Sequence, residues 1–374
     1  MIDNLIIEKC IKARHKLHQI AELSNQEKKT KKFLMDFLSE NTRFEIHDEG
    51  EWFYAVYKSG SKSKIALRSE IDAVPVTENN EISYKSLTEG VSHACGHDGH
   101  CAAMLSTALH VEKEGAPCDV YFLFQHAEET GEGAVKCLKL FQDNDVNEIY
   151  GCHNAPGIPF GKIVMNEKGL MHWASTGIIL NFEGAPSHAS MPELGINPAF
   201  CIAEIIRELS CIEKASSHKG PVLSTIINID VGEDAFGVQA STGKLCLTVR
   251  GEFESDIECF KEILKSAVKE KADLYGLRYD IRYQDTFPIT LNAMQCMEIV
   301  EKACESIDCD FEYTEEMDRG SEDFGWYTKR IPGAIFHIGA GIDHAELHTS
   351  EFDFPDELIK NITEIFIQII RDRS

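Results

Sequence analysis

Three histidines, a cysteine and an aspartate fall within eight residues, His93-Ala94-Cys95-Gly96-His97-Asp98-Gly99-His100. A thiolate and an imidazole presented together suit zinc, manganese or a similar divalent ion. In an extended segment Cys95 and His97 project to the same side, because side chains alternate with period two. The competing reading is a buried or reactive thiol among surface histidines. Downstream, Glu128-Glu129 follow the apolar run Val120–Phe124. Adjacent carboxylates at the exit of a buried strand are costly unless something positive neutralises them. One can hold a cation while its neighbour faces a water molecule, which is the division of labour a hydrolase needs. A solvated turn is the alternative, since Thr130-Gly131-Glu132-Gly133 comes next.

Three more candidates sit just past apolar runs. Asp72 follows Ile65–Leu67, and His153 follows Ile149–Cys152. His348 lies beyond Ala334–Ile338 and the glycine-rich turn Gly339-Ala340-Gly341. Singly, each reads as a capping or surface residue. Together, five clusters of Asp, Glu, His or Cys gather at the carboxyl ends of strands, the edge where parallel sheets build their sites. Thiolate Cys95, Glu128, Glu129 and Asp72 form a negative cluster that one divalent ion leaves uncompensated and two bring to neutrality. Two ions can also acidify water while polarising a carbonyl.

The elements that must position these residues alternate in type. Residues 5–20 place Leu5, Ile6, Cys10, Ala13 and Leu17 on a helical stripe, and Asp98 can cap a helix through Ala102, Leu105, Ala108 and Leu109. With strands at Ile65–Leu67, Val120–Phe124 and Glu148–Cys152, this predicts a mostly parallel sheet covered on both faces. The pattern changes near residue 174. The order becomes strand (Thr176–Phe182), helix (Pro198–Leu209, opened by Asn197-Pro198), strand (Val222–Val231), strand (Lys244–Arg250), helix (Asp256–Tyr275) and strand (Arg278–Asp285). That β-α-β-β-α-β order is the split-βαβ, ferredoxin-like unit. Alternation resumes after about residue 286, ending in a helix beyond Pro355 with Ile359, Ile362, Phe366 and Ile369 on one face. The expectation is an α/β protein in which 1–173 and 286–374 form one domain and 174–285 an inserted α+β domain.

Composition bounds the rest. The chain has 374 residues, 37 Lys+Arg against 62 Asp+Glu, and a net charge of −25, which disfavours nucleic acid and anionic membrane as partners. No run of apolar residues is long enough to span a bilayer. The charged start MIDNLIIEKCIKARHKLHQI reads as an amphipathic helix rather than an export signal, and thirteen cysteines then read as reduced thiols in the cytoplasm.

At these residues the chain resembles the aminoacylase/carboxypeptidase-G type of metallopeptidase, in the branch containing hippurate hydrolases and plant auxin-conjugate amidohydrolases. The resemblance runs nearly end to end. It takes in His18-Gln19, Glu22-Leu23-Ser24, Glu27, Thr30, Leu67-Arg68, Asp72-Ala73, Pro75 and the block His93 to His100. It continues through Phe124-Gln125, Ala127-Glu128-Glu129, Gly133-Ala134, His153, Gly184, His188-Ala189 and Pro192. Near the end it includes Gly320-Ser321-Glu322-Asp323-Phe324, Pro332-Gly333 and Leu347-His348-Thr349. The resemblance implies that Cys95, His97, Glu129, His153 and His348 bind two divalent ions (Zn, Mn, Ni or Co), with Cys95 bridging them. It implies that Glu128 is the general base, that Asp72 orients a metal ligand, and that His188 of the inserted domain stabilises the oxyanion. It also implies a homodimer formed through the inserted domain, and hydrolysis of the amide bond of an N-acyl amino acid or related small conjugate.

The chain departs from the family pattern at Ala21 and His126, where proline is usual, at Glu70, where aspartate is commoner, and at Ala235-Phe236-Gly237-Val238-Gln239-Ala240. His126 could tune the neighbouring base or contact substrate, or be a packing substitution. Arg250 could bind a substrate carboxylate or support a turn. Three rival functions remain open at this level: a dipeptidase or aminopeptidase on the same scaffold, a cysteine hydrolase using Cys95 as nucleophile, and a non-catalytic metal-binding descendant.

Overall fold

The apolar runs become strands in the computed structural model of the chain, which describes residues 2–315 and 319–373. Helices α1 (Asn4–Gln19) and α2 (Lys28–Asn41) precede β1 (Glu45–Asp48), β2 (Phe53–Tyr57) and β3 (Lys64–Glu70). Next come α3 (His97–Glu114), β4 (Asp119–Gln125), the short α4 (Gly133–Cys137) and α5 (Lys139–Asn144), and β5 (Glu148–Pro156). Strands β6 (Ile163–Asn166) and β7 (Leu170–His172) follow, then β8 (Ala174–Glu183), α6 (Ala199–Glu213) and β9 (Val222–Val231). The chain continues with β10 (Thr242–Gly251), α7 (Glu254–Tyr275), β11 (Arg278–Phe287), β12 (Thr290–Leu291), α8 (Met294–Ser306) and β13 (Phe311–Thr314). It ends with α9 (Gly325–Thr328), β14 (Gly333–Gly341) and α10 (Leu358–Arg371).

Contacts divide the chain into two compact units: Met1–Met171, Thr290–Met317 and Glu322–Ser374 in the larger, His172–Ile289 and Asp318–Ser321 in the smaller. The larger unit holds an eight-stranded sheet in the order β1-β2-β4-β3-β5-β14-β6-β13. Its central strands β4, β3, β5 and β14 are mutually parallel, so their carboxyl ends share one edge. β2 and β6 join it antiparallel. Helix α3 packs against α1, α10 and β3, and it is buried continuously from His97 to Val111. A helix covered on several sides needs no polar stripe, so Ala102, Ala103 and Ala108 fit their surroundings. In α10, Ile359, Ile362, Phe366 and Ile369 are all buried, each contributing roughly 1.5–3 kcal/mol. Among the described residues no helix is long and apolar enough to cross a membrane.

The smaller unit is a four-stranded antiparallel sheet in the order β11-β8-β10-β9. Numbered within the unit this is 4-1-3-2, the order expected of a β-α-β-β-α-β chain. Helices α6 and α7 build its core with Leu180, Phe182, Ile205, Leu245, Phe260 and Leu264. Pro198 rather than Asn197 is the cap position of α6, and the Asn197 Oδ1 accepts from Ala199 N–H at 2.9 Å one residue before it. Arg250 donates to the Arg319 carbonyl (3.0 Å) and Ser321 Oγ (2.6 Å), so it holds the segment at 319–321 to this unit.

Three local expectations need correction. Leu5 is exposed, and the buried face of α1 is Ile7, Cys10, Ala13, Arg14, Leu17 and His18. Asp98 does not cap α3, which begins one residue earlier at His97 behind a left-handed Gly96. For the same reason the segment carrying Cys95 and His97 is a turn running into a helix, not an extended stretch.

Candidate metal centre and active site

Gly96 sets the geometry of the first cluster. Its φ is +93°, and a Cβ there would lie 2.2 Å from Asn154 Oδ1, so a side chain is excluded on both grounds. The turn delivers Cys95 and His97 to the same place by a different route from strand alternation. His97 Nδ1 faces the Asp72 carbonyl at 2.9 Å and Asp72 Oδ1 at 3.3 Å. Its Nε2, fully buried, has no hydrogen-bond partner among the described residues. Burial lowers the His97 pKa, but Asp72, Glu70 and Glu129 outweigh it and raise it to about 10. Surroundings that hold a proton this firmly also attract a cation.

Asp72 ties two segments together. Its Oδ2 accepts from Ser24 Oγ at 2.7 Å and from Glu129 N–H at 3.0 Å, while its other groups fix the His97 ring. The Glu128-Glu129 turn depends on Ala127, at φ +49°, whose N–H donates to buried Glu27 at 2.8 Å. Burial and then the nearby Asp72 raise Glu27 to about 7. Gly133 closes the turn; a Cβ there would lie 1.7 Å from the His126 carbonyl oxygen.

The structure brings the five candidate ligands into one cluster. Ligand atoms of Cys95, His97 and His153 all lie within 4.8 Å of one another, as do those of Cys95, Glu129 and His348. Cys95 Sγ is 3.4 Å from His153 Nε2, and His348 Nε2 is 3.3 Å from Glu129 Oε1. Cys95 is the residue that these two sets share. Two sets of soft and borderline donors, one unpartnered buried imidazole nitrogen and an excess of carboxylates fit a pair of divalent ions. Glu128 is buried, 3.9 Å from His97 Nε2. Burial, followed by Glu322, Glu129 and Asp323, pushes its carboxyl well above the usual range, against the opposing pull of Arg68.

Cys95 is a poor candidate for an activated nucleophile. Burial and then the carboxylates of Glu129 and Glu128 push its thiol far upward, whereas reactive cysteines occupy electropositive, partly exposed sites. A cation reverses this, since a coordinating thiol is deprotonated outright.

His188 belongs to the smaller unit. It is exposed, its Nδ1 lies 2.7 Å from Ser190 Oγ, and it forms a bridge with Val238. Ala189 N–H donates to the Gly237 carbonyl (3.0 Å) and Gln239 N–H to that of Ser187 (2.9 Å). The divergent 235–240 segment is thus the direct support of the His188 loop. His126 is fully buried, neither ring nitrogen has a hydrogen bond among the described residues, and burial lowers its pKa. The carboxylate paired with it, at 3.8 Å, is Glu51 rather than Glu128, which fits a packing role.

Sequence reasoning passed over a buried charged layer beneath the site. Arg68 is wholly buried and engages Glu70, Glu322 (2.8 Å), Asp323 (2.9 Å) and Gln125 Oε1 (2.9 Å). Gln125 Nε2 also donates to Asp323, and His100 joins Glu70 (3.0 Å) to Asn154 (2.7 Å). A charged residue inside the apolar run Ile65–Leu67-Arg68 was the available signal, because a buried guanidinium demands anionic partners.

The sequence pattern of Peptidase family M20/M25/M40 matches residues 66–372. The chain belongs to this family. The M20 relatives include N-acetyldiaminopimelate deacetylase of Priestia megaterium, 29% identical and covering 95% of this chain and 97% of its own. They also include N-acetylcysteine deacetylase of Bacillus subtilis, 28% identical and covering 99% and 98%. Among solved structures, an aminohydrolase of methicillin-resistant Staphylococcus aureus superposes with a TM-score of 0.86 at 26% identity, covering the whole of both chains. A Bacillus subtilis protein described as a dinuclear metal-binding M20 peptidase gives 0.81 at 25% identity over 98% of each chain.

Proposed function

We propose that this chain is a dinuclear metal-dependent amidohydrolase that cleaves the amide bond of N-acyl amino acids, releasing a carboxylic acid and an amine. The observation that carries the reading is the pair of donor sets sharing Cys95, set beside a buried Glu128 of raised proton affinity. The names of the two deacetylases direct the substrate choice toward N-acetyl amino acids. Cys95, His97 and His153 would hold one ion, and Cys95, Glu129 and His348 the other; Zn, Mn, Ni and Co all suit these donors. Such ions supply Lewis acidity, polarising the scissile carbonyl and acidifying water.

The chain's own groups do the rest. Glu128 takes a proton from the attacking water and delivers it to the departing nitrogen. Asp72 fixes the His97 tautomer and anchors the backbone of Glu129. His188 donates to the developing oxyanion. The small unit is the dimer-forming element. Ile226, Ile227 and Ile229 are exposed on β9, which is an edge strand, and an apolar sheet edge is a ready pairing surface. Thirteen unpaired thiols fit a reducing compartment, the cytoplasm.

The test is hydrolysis of a panel of N-acetyl amino acids and the matching dipeptides by protein supplemented with Mn, Zn, Ni or Co. Acid release from the acyl compounds is expected. Cleavage of dipeptides alone would replace this reading with a dipeptidase.

A further inference from the structure

Away from the metal centre, α8 ends in a turn with two cysteines at its pairing positions. Asp308, at φ +56°, stands just past the helix. Cys309 N–H donates to the Cys304 carbonyl at 2.9 Å, and Asp308 N–H to that of Glu305 at 3.3 Å. These two bonds define a Schellman motif, whose ends usually bring two apolar side chains together. Here both of those side chains are thiols. The path through the Cys304–Cys309 hydrogen bond limits the Cα separation to about 6.8 Å, within the span of a disulfide. Cys304 is fully buried, while Cys309 is partly exposed in an open depression lined by Glu301, Glu305, Asp308, Asp310 and Phe311.

We propose that Cys304 and Cys309 form a redox-active dithiol that a peroxide closes to a reversible disulfide. The Cys309 thiol faces the carbonyls of Gly161 (3.6 Å) and Asp310 (3.7 Å), and the two cysteines act on each other, the Cys309 pKa lowered and the Cys304 pKa raised. Cys309, the partly exposed member of the pair, is therefore the attacking thiolate, and buried Cys304 the thiol that resolves it. Its sulfur takes one oxygen from hydrogen peroxide, becoming a sulfenic acid and releasing hydroxide. The Cys304 sulfur then displaces that oxygen and the S–S bond forms. Overall two thiols are oxidised, one peroxide is reduced, and two waters leave. The acidic rim disfavours anionic oxidants and leaves neutral peroxide unhindered. Burial pushes the thiols of Cys10, Cys101, Cys118, Cys201 and Cys296 upward, away from this reactivity.

The test uses the full-length, metal-supplemented protein. It is exposed to hydrogen peroxide, alkylated with N-ethylmaleimide, digested with trypsin and analysed by mass spectrometry. Residues 303–319 form one tryptic peptide holding both cysteines. That peptide is expected unlabelled and lighter by two hydrogens, taking two labels after dithiothreitol. In a Cys304→Ala variant, Cys309 should stop as a sulfenic acid that reacts with dimedone. Full labelling of both thiols after peroxide, or a peptide carrying only irreversible oxygen adducts, would overturn the proposal. The wild-type peptide decides this even where the variant folds poorly.

Discussion

Glu128 and Glu129 are sequence neighbours that the fold treats differently. Both lie near His97, but Glu129 faces His348, whereas Glu128 is pressed toward Glu322 and Asp323 and its proton affinity rises. On the proposed reading one carboxylate holds a cation and the other carries a proton. Glu128→Gln keeps the shape and removes the base. It should lower kcat by roughly 10²–10⁴-fold, with metal content by elemental analysis unchanged. Undiminished turnover in that variant removes Glu128 from the role. At this scale the candidate ligands were legible in the sequence because Cys, His and Glu are chemically conspicuous just past apolar runs. The Arg68 layer was not, since its partner Glu322 lies 254 residues away. No local pattern records such a pairing.

At the scale of elements, short turns with unusual backbone set the geometry. Gly133→Ala drives a Cβ into the His126 carbonyl and should cost about 1–3 kcal/mol, read from urea unfolding. A stability equal to wild type would mean that this turn yields freely. Helix α1 supplies a second case through His18, which lies between Asp98 (2.9 Å) and Glu78 (3.2 Å). Burial lowers the His18 pKa, but Asp98 and Glu78 overcome it and raise it to about 9. The folded value exceeds the unfolded value of about 6.5, so the stabilisation is complete below that pH and disappears as pH rises through about 9. Thermal melts of wild type and His18→Gln should accordingly differ most in mildly acidic buffer and converge in alkali. A constant gap across that range would contradict the assignment. The central strands were legible as apolar runs bounded by turns. Strands β1, β6 and β13 were not, because four residues of mixed character carry too little periodicity. The face of α1 was misjudged for a related reason: it buries Arg14 and His18 against Asp98 and leaves Leu5 to solvent.

For the whole molecule, the central feature is negative charge concentrated where a protein of net charge −25 can least absorb it. Cys95, Glu128, Glu129, Glu70 and Asp72 converge from three separate segments onto one sheet edge, with Arg68 as the buried counter-charge below them. Alternation of strands and helices foretold that edge, and the β-α-β-β-α-β order foretold the ferredoxin-like unit. The most direct test of a two-ion centre is the number of metal ions bound per chain after loading with manganese and removal of excess, measured by plasma mass spectrometry. Two per chain is the expected value, falling in Cys95→Ala, which removes the ligand common to both donor sets. A wild-type value of one or none, in protein that hydrolyses N-acetyl amino acids, would contradict the account.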